Sequence, residues 1–150
     1  MIYAGTIERA LSHNPMTRHY FRDVVPANQL PTKRDQHGIY VVNTHPEHMP
    51  GEHWVTVEYG PTYVSYFDSY GQTPHPRIKK ELLRTGALRG KKLLYSLKRL
   101  QGYRHTCGLY CIYHVLSRTS GQHTMNIFNT DLDFNDRLVH KLVSQRFDVQ

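Results

Sequence analysis

Residues 101–118, QGYRHTCGLYCIYHVLSR, constrain this chain more than any other stretch, because a polar, turn-prone segment gives way abruptly to an apolar run. From Leu109 to Leu116 apolar residues occupy every side of a helix, so that helix belongs at the buried centre of a domain. Thr106 reads as its N-cap, with the hydroxyl accepting an orphan backbone N–H and Cys107 in the first turn. A thiol placed there feels the positive end of the helix dipole, which favours the nucleophilic thiolate. Cys111 lies one turn further in and reads as core, where a free thiol packs as a small hydrophobe. Core packing is the alternative for Cys107 too, but its place at the turn-to-helix junction favours chemistry.

The 150 residues fit a single domain, 1–150, large enough to bury a core. The two cysteines, with three residues between them, cannot form a disulfide framework, and i, i+4 geometry aims them poorly at each other. Free thiols in a reducing, intracellular compartment are expected. The first eleven residues lack a signal-peptide pattern and no run approaches membrane-spanning length, so a soluble protein without a membrane partner is expected. The net charge of +7 is unevenly spread. Residues 77–104 hold ten of the nineteen Lys and Arg against one acid, Glu81, a local +9 that leaves −2 for the rest. Lys79, Lys80, Lys91 and Lys92 lie in that window and would contact a polyanion; a merely solvated basic face is the alternative.

Along the chain, Thr6 and the following IERALSH predict a short amphipathic helix stopped by Asn14 and Pro15. Residues 17–33 show no clear period and read as irregular. GIYVVN at 38–43 predicts a buried strand, and 45–51 a loop. HWVTVEY at 53–59, a turn at Gly60 and Pro61, and YVSYF at 63–67 predict a β-hairpin. In an antiparallel hairpin its first residue, His53, and the residue after its end, Asp68, lie at one end of neighbouring strands, where side chains meet. Pro76 starts a helix to about Thr85, 92–101 reads as a strand ending at Gln101, Gly121 ends the Cys107 helix, and 131–147 predicts a last helix. The fold expected is α+β, a mixed central β-sheet packed against the buried helix that carries Cys107 at its N-terminus.

Set beside that helix, the hairpin end brings together His53, Asp68 and Cys107. A cysteine nucleophile needs a base, and the base needs a partner that fixes its tautomer. His53 fits the first role and Asp68 the second. Acyl transfer also needs donors for a developing oxyanion, which the Cys107 backbone N–H and the Gln101 side-chain amide would supply. A zinc site from Cys107, Cys111 and His114 is disfavoured, because structural zinc needs four ligands and usually takes Cys-x2-4-Cys from turns. His45-Pro46-Glu47 resembles a zinc-deaminase opening, but no Pro-Cys-x2-Cys follows. Papain-like and caspase-like enzymes fail on residue order and signature. A chymotrypsin-like viral cysteine protease shares the order His, Asp, Cys but not a nucleophile opening an apolar helix. A nucleic-acid binder using tyrosines among basic residues is the non-enzymatic alternative.

The order His53-Trp54, then Asp68, then Gln101-x5-Cys107-Gly108 resembles the adenovirus endopeptidase, adenain, and its relatives among SUMO-deconjugating proteases; CGLYC matches the viral branch, over about residues 20–118. FNTDLDFNDRLVHKLV resembles proteases of large DNA transposons and virophages. The resemblance implies a cysteine endopeptidase with His53 as base, Asp68 as its partner, Cys107 as nucleophile and Gln101 as oxyanion donor. It implies viral capsid or core precursors as substrates, cut after small residues such as Gly. An isopeptidase acting on ubiquitin-like modifiers is the close alternative. It further implies no required cofactor, stimulation by non-specific DNA or an activating peptide, and a monomer working in the virion and the host nucleus or assembly site. The adenovirus enzyme has Glu in place of Asp68 and a catalytic turn one residue longer. Its activating peptide is tethered through a cysteine ahead of that turn, for which this chain has no counterpart.

Overall fold

Val41, Val42, Val55 and Val57 are all fully buried, although successive strand residues point to opposite faces. A sheet with such strands must be covered on both sides, and in the computed structural model it is. The structure describes residues 2–31, 37–45, 53–102 and 105–149. Five strands, β1 (Phe21–Pro26), β2 (Gly38–Asn43), β3 (Trp54–Tyr59), β4 (Tyr63–Phe67) and β5 (Lys92–Tyr95), pair in sequence order. The two outer pairs, β1 with β2 and β4 with β5, are parallel, and the two inner ones antiparallel. The fold is therefore the expected α+β domain with a mixed sheet.

Among the described residues four α-helices cover the sheet: α1 (Ala4–His13), α2 (Pro76–Arg84), α3 (Cys107–Thr119) and α4 (Leu132–Arg146). On one face α1, α3 and α4 pack against Ile39 and Val41, with Tyr110, Ile112, Val115, Val139 and Val143 in a shared core. On the other face Ile78 and Leu82 of α2 pack on Val42, Val55, Val57 and Tyr59. Helix α3 is the central helix anticipated, with Tyr110, Cys111, Ile112 and Val115 all sealed from solvent. Its last residue is Thr119, two before the expected stop at Gly121.

Three local readings need correcting. Residues 21–26, taken as irregular, form the parallel edge strand β1; a bulge between Phe21 and Asp23 and the closing Pro26 hide its alternation. Strand β5 stops at Tyr95 rather than Gln101, because Leu100 and Gln101 donate their amides to the Ser69 carbonyl, at 2.8 and 2.9 Å, instead of extending the ladder. Thr106 occupies the N-cap position of α3, yet its hydroxyl makes no cap bond and is directed to Asp136. The expected 45–51 loop lies outside the described residues beyond His45, as do Thr32, Lys33 and Arg104.

Candidate active site

The hairpin of β3 and β4 closes at Gly60, whose N–H meets the Tyr63 carbonyl at 2.9 Å, and that register places the residues flanking it side by side. His53 immediately precedes β3 and Asp68 immediately follows β4. Their side chains meet: His53 Nε2 lies 2.7 Å from Asp68 Oδ1. The same oxygen accepts the Tyr70 N–H at 2.8 Å, so the carboxylate is held from two directions. With Nε2 committed to Asp68, the nitrogen left for the sulfur is Nδ1, which is buried and has no partner at hydrogen-bond geometry among the described residues. Cys107 nonetheless lies near enough to favour a charged ring. Burial is the largest single influence on His53 and pushes its pKa down, but Asp68 and Cys107 together outweigh it and raise it to about 9.

Gln101 comes to the same place by a different route. The turn after β4 is closed by the Gly71 N–H on the Asp68 carbonyl at 2.9 Å, with Gly71 at a φ of +68°. Any Cβ there would fall 2.6–2.7 Å from the backbone of residues 97–99, so only glycine lets this turn back onto the segment leading to Gln101. Ser69 Oγ then donates to Gln101 Oε1 at 2.5 Å, and Gln101 Nε2 stands 3.4 Å from Tyr70 Oη. Because Ser69 occupies the amide oxygen, the amide's two N–H groups are fixed in direction. Three successive residues thus serve the site: Asp68 orients His53, Ser69 orients Gln101, and the Tyr70 ring lies against His53 at 4.9 Å.

Cys107 is the first residue of α3 and only 8% exposed. Cys111 is fully buried, and burial drives its thiol well above the ordinary range, so it stays protonated and inert. His114 is half-buried, with both ring nitrogens shielded from solvent and the ring stacked on Phe67 at 4.3 Å; among the described residues no His, Cys, Asp and Glu cluster could hold a metal ion. A cleft of about 410 Å³ opens beside His53 and Asp68, lined also by Thr44, Tyr66, Gln72 and His75.

The four lysines lie elsewhere. Lys79 and Lys80 are exposed on α2, across the sheet from α3. Lys92 is exposed on β5, and Lys91 donates to the Gly60 carbonyl at 2.8 Å. Residues that sequence reasoning passed over include Ser69, Tyr70, Asn135 and Asp136. For Asp136 a signal exists: Leu132, Asp136, Val139 and Val143 fall on one stripe of α4, and a carboxylate on a stripe that otherwise turns inward calls for an explanation.

No family model and no curated protein matches the sequence. Among solved structures, the ASFV pS273R protease matches at 17% identity with a TM-score of 0.66, over all of this chain and 68% of that one. A selenomethionine crystal structure of the same protease covers 75% of this chain and 45% of that one, at 23% identity and a TM-score of 0.43, too low to support a conclusion. At such identity the first likeness establishes a shared fold.

Proposed function

We propose that the chain is a cysteine endopeptidase in which Cys107 is the nucleophile, His53 the acid and base, Asp68 its partner and Gln101 an oxyanion donor. The observation that carries the reading is His53 held by Asp68 on one ring nitrogen, with the other nitrogen left over and Cys107 near enough to act on the ring. The fold shared with a viral protease supports it. An imidazolium beside the sulfur stabilises a thiolate, which attacks the scissile carbonyl carbon and forms a C–S bond. The oxyanion so formed takes hydrogen bonds from the Cys107 backbone N–H and the Gln101 amide. As the C–N bond breaks, His53 gives its proton to the leaving amine, and a thioester remains. Neutral His53 then takes a proton from water, whose oxygen attacks the thioester and releases the acid, leaving thiolate and imidazolium again. Because His53 serves the leaving amine, the cleft beside it receives the residues that follow the scissile bond.

In this reading the substrates are viral capsid or core precursors cut after small residues, and the protein acts as a monomer in a reducing virion or nuclear setting. DNA bound non-specifically through Lys79, Lys80, Lys91 and Lys92 would act from α2, across the sheet, through the first two and from the start of β5 and the residue before it through the others, touching no reacting group. The test is incubation with capsid precursors and with ubiquitin-like precursors, with and without DNA across a salt series, reading cut sites by mass spectrometry. Cuts after small residues in capsid precursors are expected. Cleavage confined to ubiquitin-like tails replaces the reading with an isopeptidase, and no cleavage of either defeats it. A DNA effect that survives replacement of the four lysines by Gln removes them from regulation.

A further inference from the structure

Gln101, Gly102, His105 and Thr106 belong to neither sheet nor helix, so their polar groups depend on partners outside the regular ladders. Gln101 has its own N–H on the Ser69 carbonyl at 2.9 Å and its carbonyl on Arg99 Nε at 2.8 Å, whereas the Gly102 N–H and the Thr106 hydroxyl are taken up by the N-terminal half of α4. Asp136, 2% exposed, accepts the Gly102 N–H on both carboxylate oxygens at 3.2 Å, the Thr106 hydroxyl at 3.1 Å and the Tyr110 hydroxyl at 2.8 Å. Its neighbour Asn135, fully buried, donates to the Leu100 carbonyl at 3.0 Å and to the Asn129 carbonyl at 2.7 Å. Gln101 is therefore flanked on both sides by backbone groups tied to α4, Leu100 to Asn135 and Gly102 to Asp136. Thr106, immediately before Cys107, is tied to the same carboxylate as Gly102.

The approach is as close as it can be. A Cβ on Gly102 would stand 2.9 Å from Asp136 Oδ2 and 3.4 Å from Leu132 Cβ, so glycine is what lets the turn reach α4. Tyr110 is drawn into the same arrangement: burial foremost, then the hydrogen bond to Asp136, raises its hydroxyl pKa far above the ordinary value, so it stays a donor. An apolar residue at 136 would continue the stripe made by Leu132, Val139 and Val143 at no desolvation cost, and a buried carboxylate needs a reason.

We infer that Asp136 is the positioning residue of the catalytic turn: it pins both ends of residues 102–106 and so fixes the oxyanion-binding Gln101 relative to Cys107. The inference rests on the peptidase reading for its catalytic consequence, though the pinning itself does not. Helix α3 holds Cys107 through its own backbone and core. Loss of the carboxylate therefore loosens the preceding turn before it moves the sulfur.

Three measurements on Asp136→Asn, Gly102→Ala and Tyr110→Phe test this. In Asp136→Asn an amide N–H faces a donor where an oxygen now accepts. In Gly102→Ala the new methyl pushes the turn off an intact carboxylate. For both, kcat on a peptide substrate is expected to fall about tenfold to a hundredfold with KM little changed, as for an ångström-scale misplacement. Alkylation of Cys107 by iodoacetamide needs the thiolate but no oxyanion donor and should change less than about threefold. Tyr110→Phe leaves the turn pinned and should keep kcat. Equal loss of turnover, alkylation and folded fraction in Asp136→Asn, or unchanged turnover in a folded variant, overturns the inference. Amide exchange of Gly102 by NMR, expected to quicken at least about tenfold in Asp136→Asn while Ile112 is unaffected, decides the pinning even if the wild type cleaves nothing. That last outcome would sink the peptidase reading alone, and unchanged Gly102 exchange would sink the pinning.

Discussion

The two ends of α3 each meet a buried carboxylate on the hairpin, and they use it in opposite ways. At the C-terminal end Glu58, 1% exposed, takes Arg118 Nε at 2.8 Å and Nη2 at 3.1 Å, with the hydroxyls of Tyr20 and Tyr63 at 2.7 and 2.8 Å. Burial alone would push its carboxyl up, but these four donors together hold it below the ordinary value. At the N-terminal end Asp68 meets one ring nitrogen and one amide, and the imidazole it holds keeps its second nitrogen without a hydrogen-bond partner among the described residues. A saturated network stabilises; an incomplete one retains groups that a reacting molecule can complete.

The comparison breaks most visibly at the sulfur. Cys107→Ala should abolish peptide hydrolysis, a loss of about ten-thousandfold or more, while the thermal midpoint barely moves. Cys111→Ala should keep most activity, and equal loss from both would end the contrast between a reactive and a core thiol. Next in size is Glu58→Ala, expected in urea unfolding to cost about 3 kcal/mol, the low end for a broken buried pair because Arg118 is half exposed and rehydrates. Its turnover per folded molecule should be unchanged; a proportionate loss of kcat would show the far end to be part of the machinery. The smallest effect concerns His114, whose pKa burial lowers to about 4. Between pH 6.5 and 4 the unfolded chain takes up a proton that the native chain refuses, so stability falls on acidification, by about 2 kcal/mol from pH 6.5 to 5. His114→Leu should flatten that slope. His53 works in the other direction: its raised pKa stabilises the fold below pH 6.5, and that contribution is lost as pH rises through about 9.

Where period and turn chemistry agree, the fold is legible in the residues: the hairpin over 54–67 announces itself by alternation around Gly60 and Pro61, and α3 by apolar residues on all sides. Strand β1 is hidden because its bulge interrupts the alternation and a parallel edge has no turn to mark it. The convergence of His53 with Asp68 followed from the hairpin register, since both sit at its open end. Ser69 and Asp136 could not be reached that way. Their partners lie 32 and 34 residues off in sequence, and only packing of α4 on α3 and return of the chain at Gly71 bring them together.

The sequential strand order has a temporal consequence. A chain leaving the ribosome can pair β1 through β5 one after another, each new strand finding its neighbour already in place. The anchor of the turn at Gly102, however, is carried by α4, which emerges after the sheet and the other three helices. Nascent chains stalled before residue 131 should already bury the hairpin yet lack an ordered turn at Gly102. Pulse labelling of such chains with a thiol reagent and a peptide aldehyde, which needs the oxyanion site, would show whether competence arrives only with that helix. On the peptidase reading, a chain assembled in this order gains its oxyanion site only once α4 has packed.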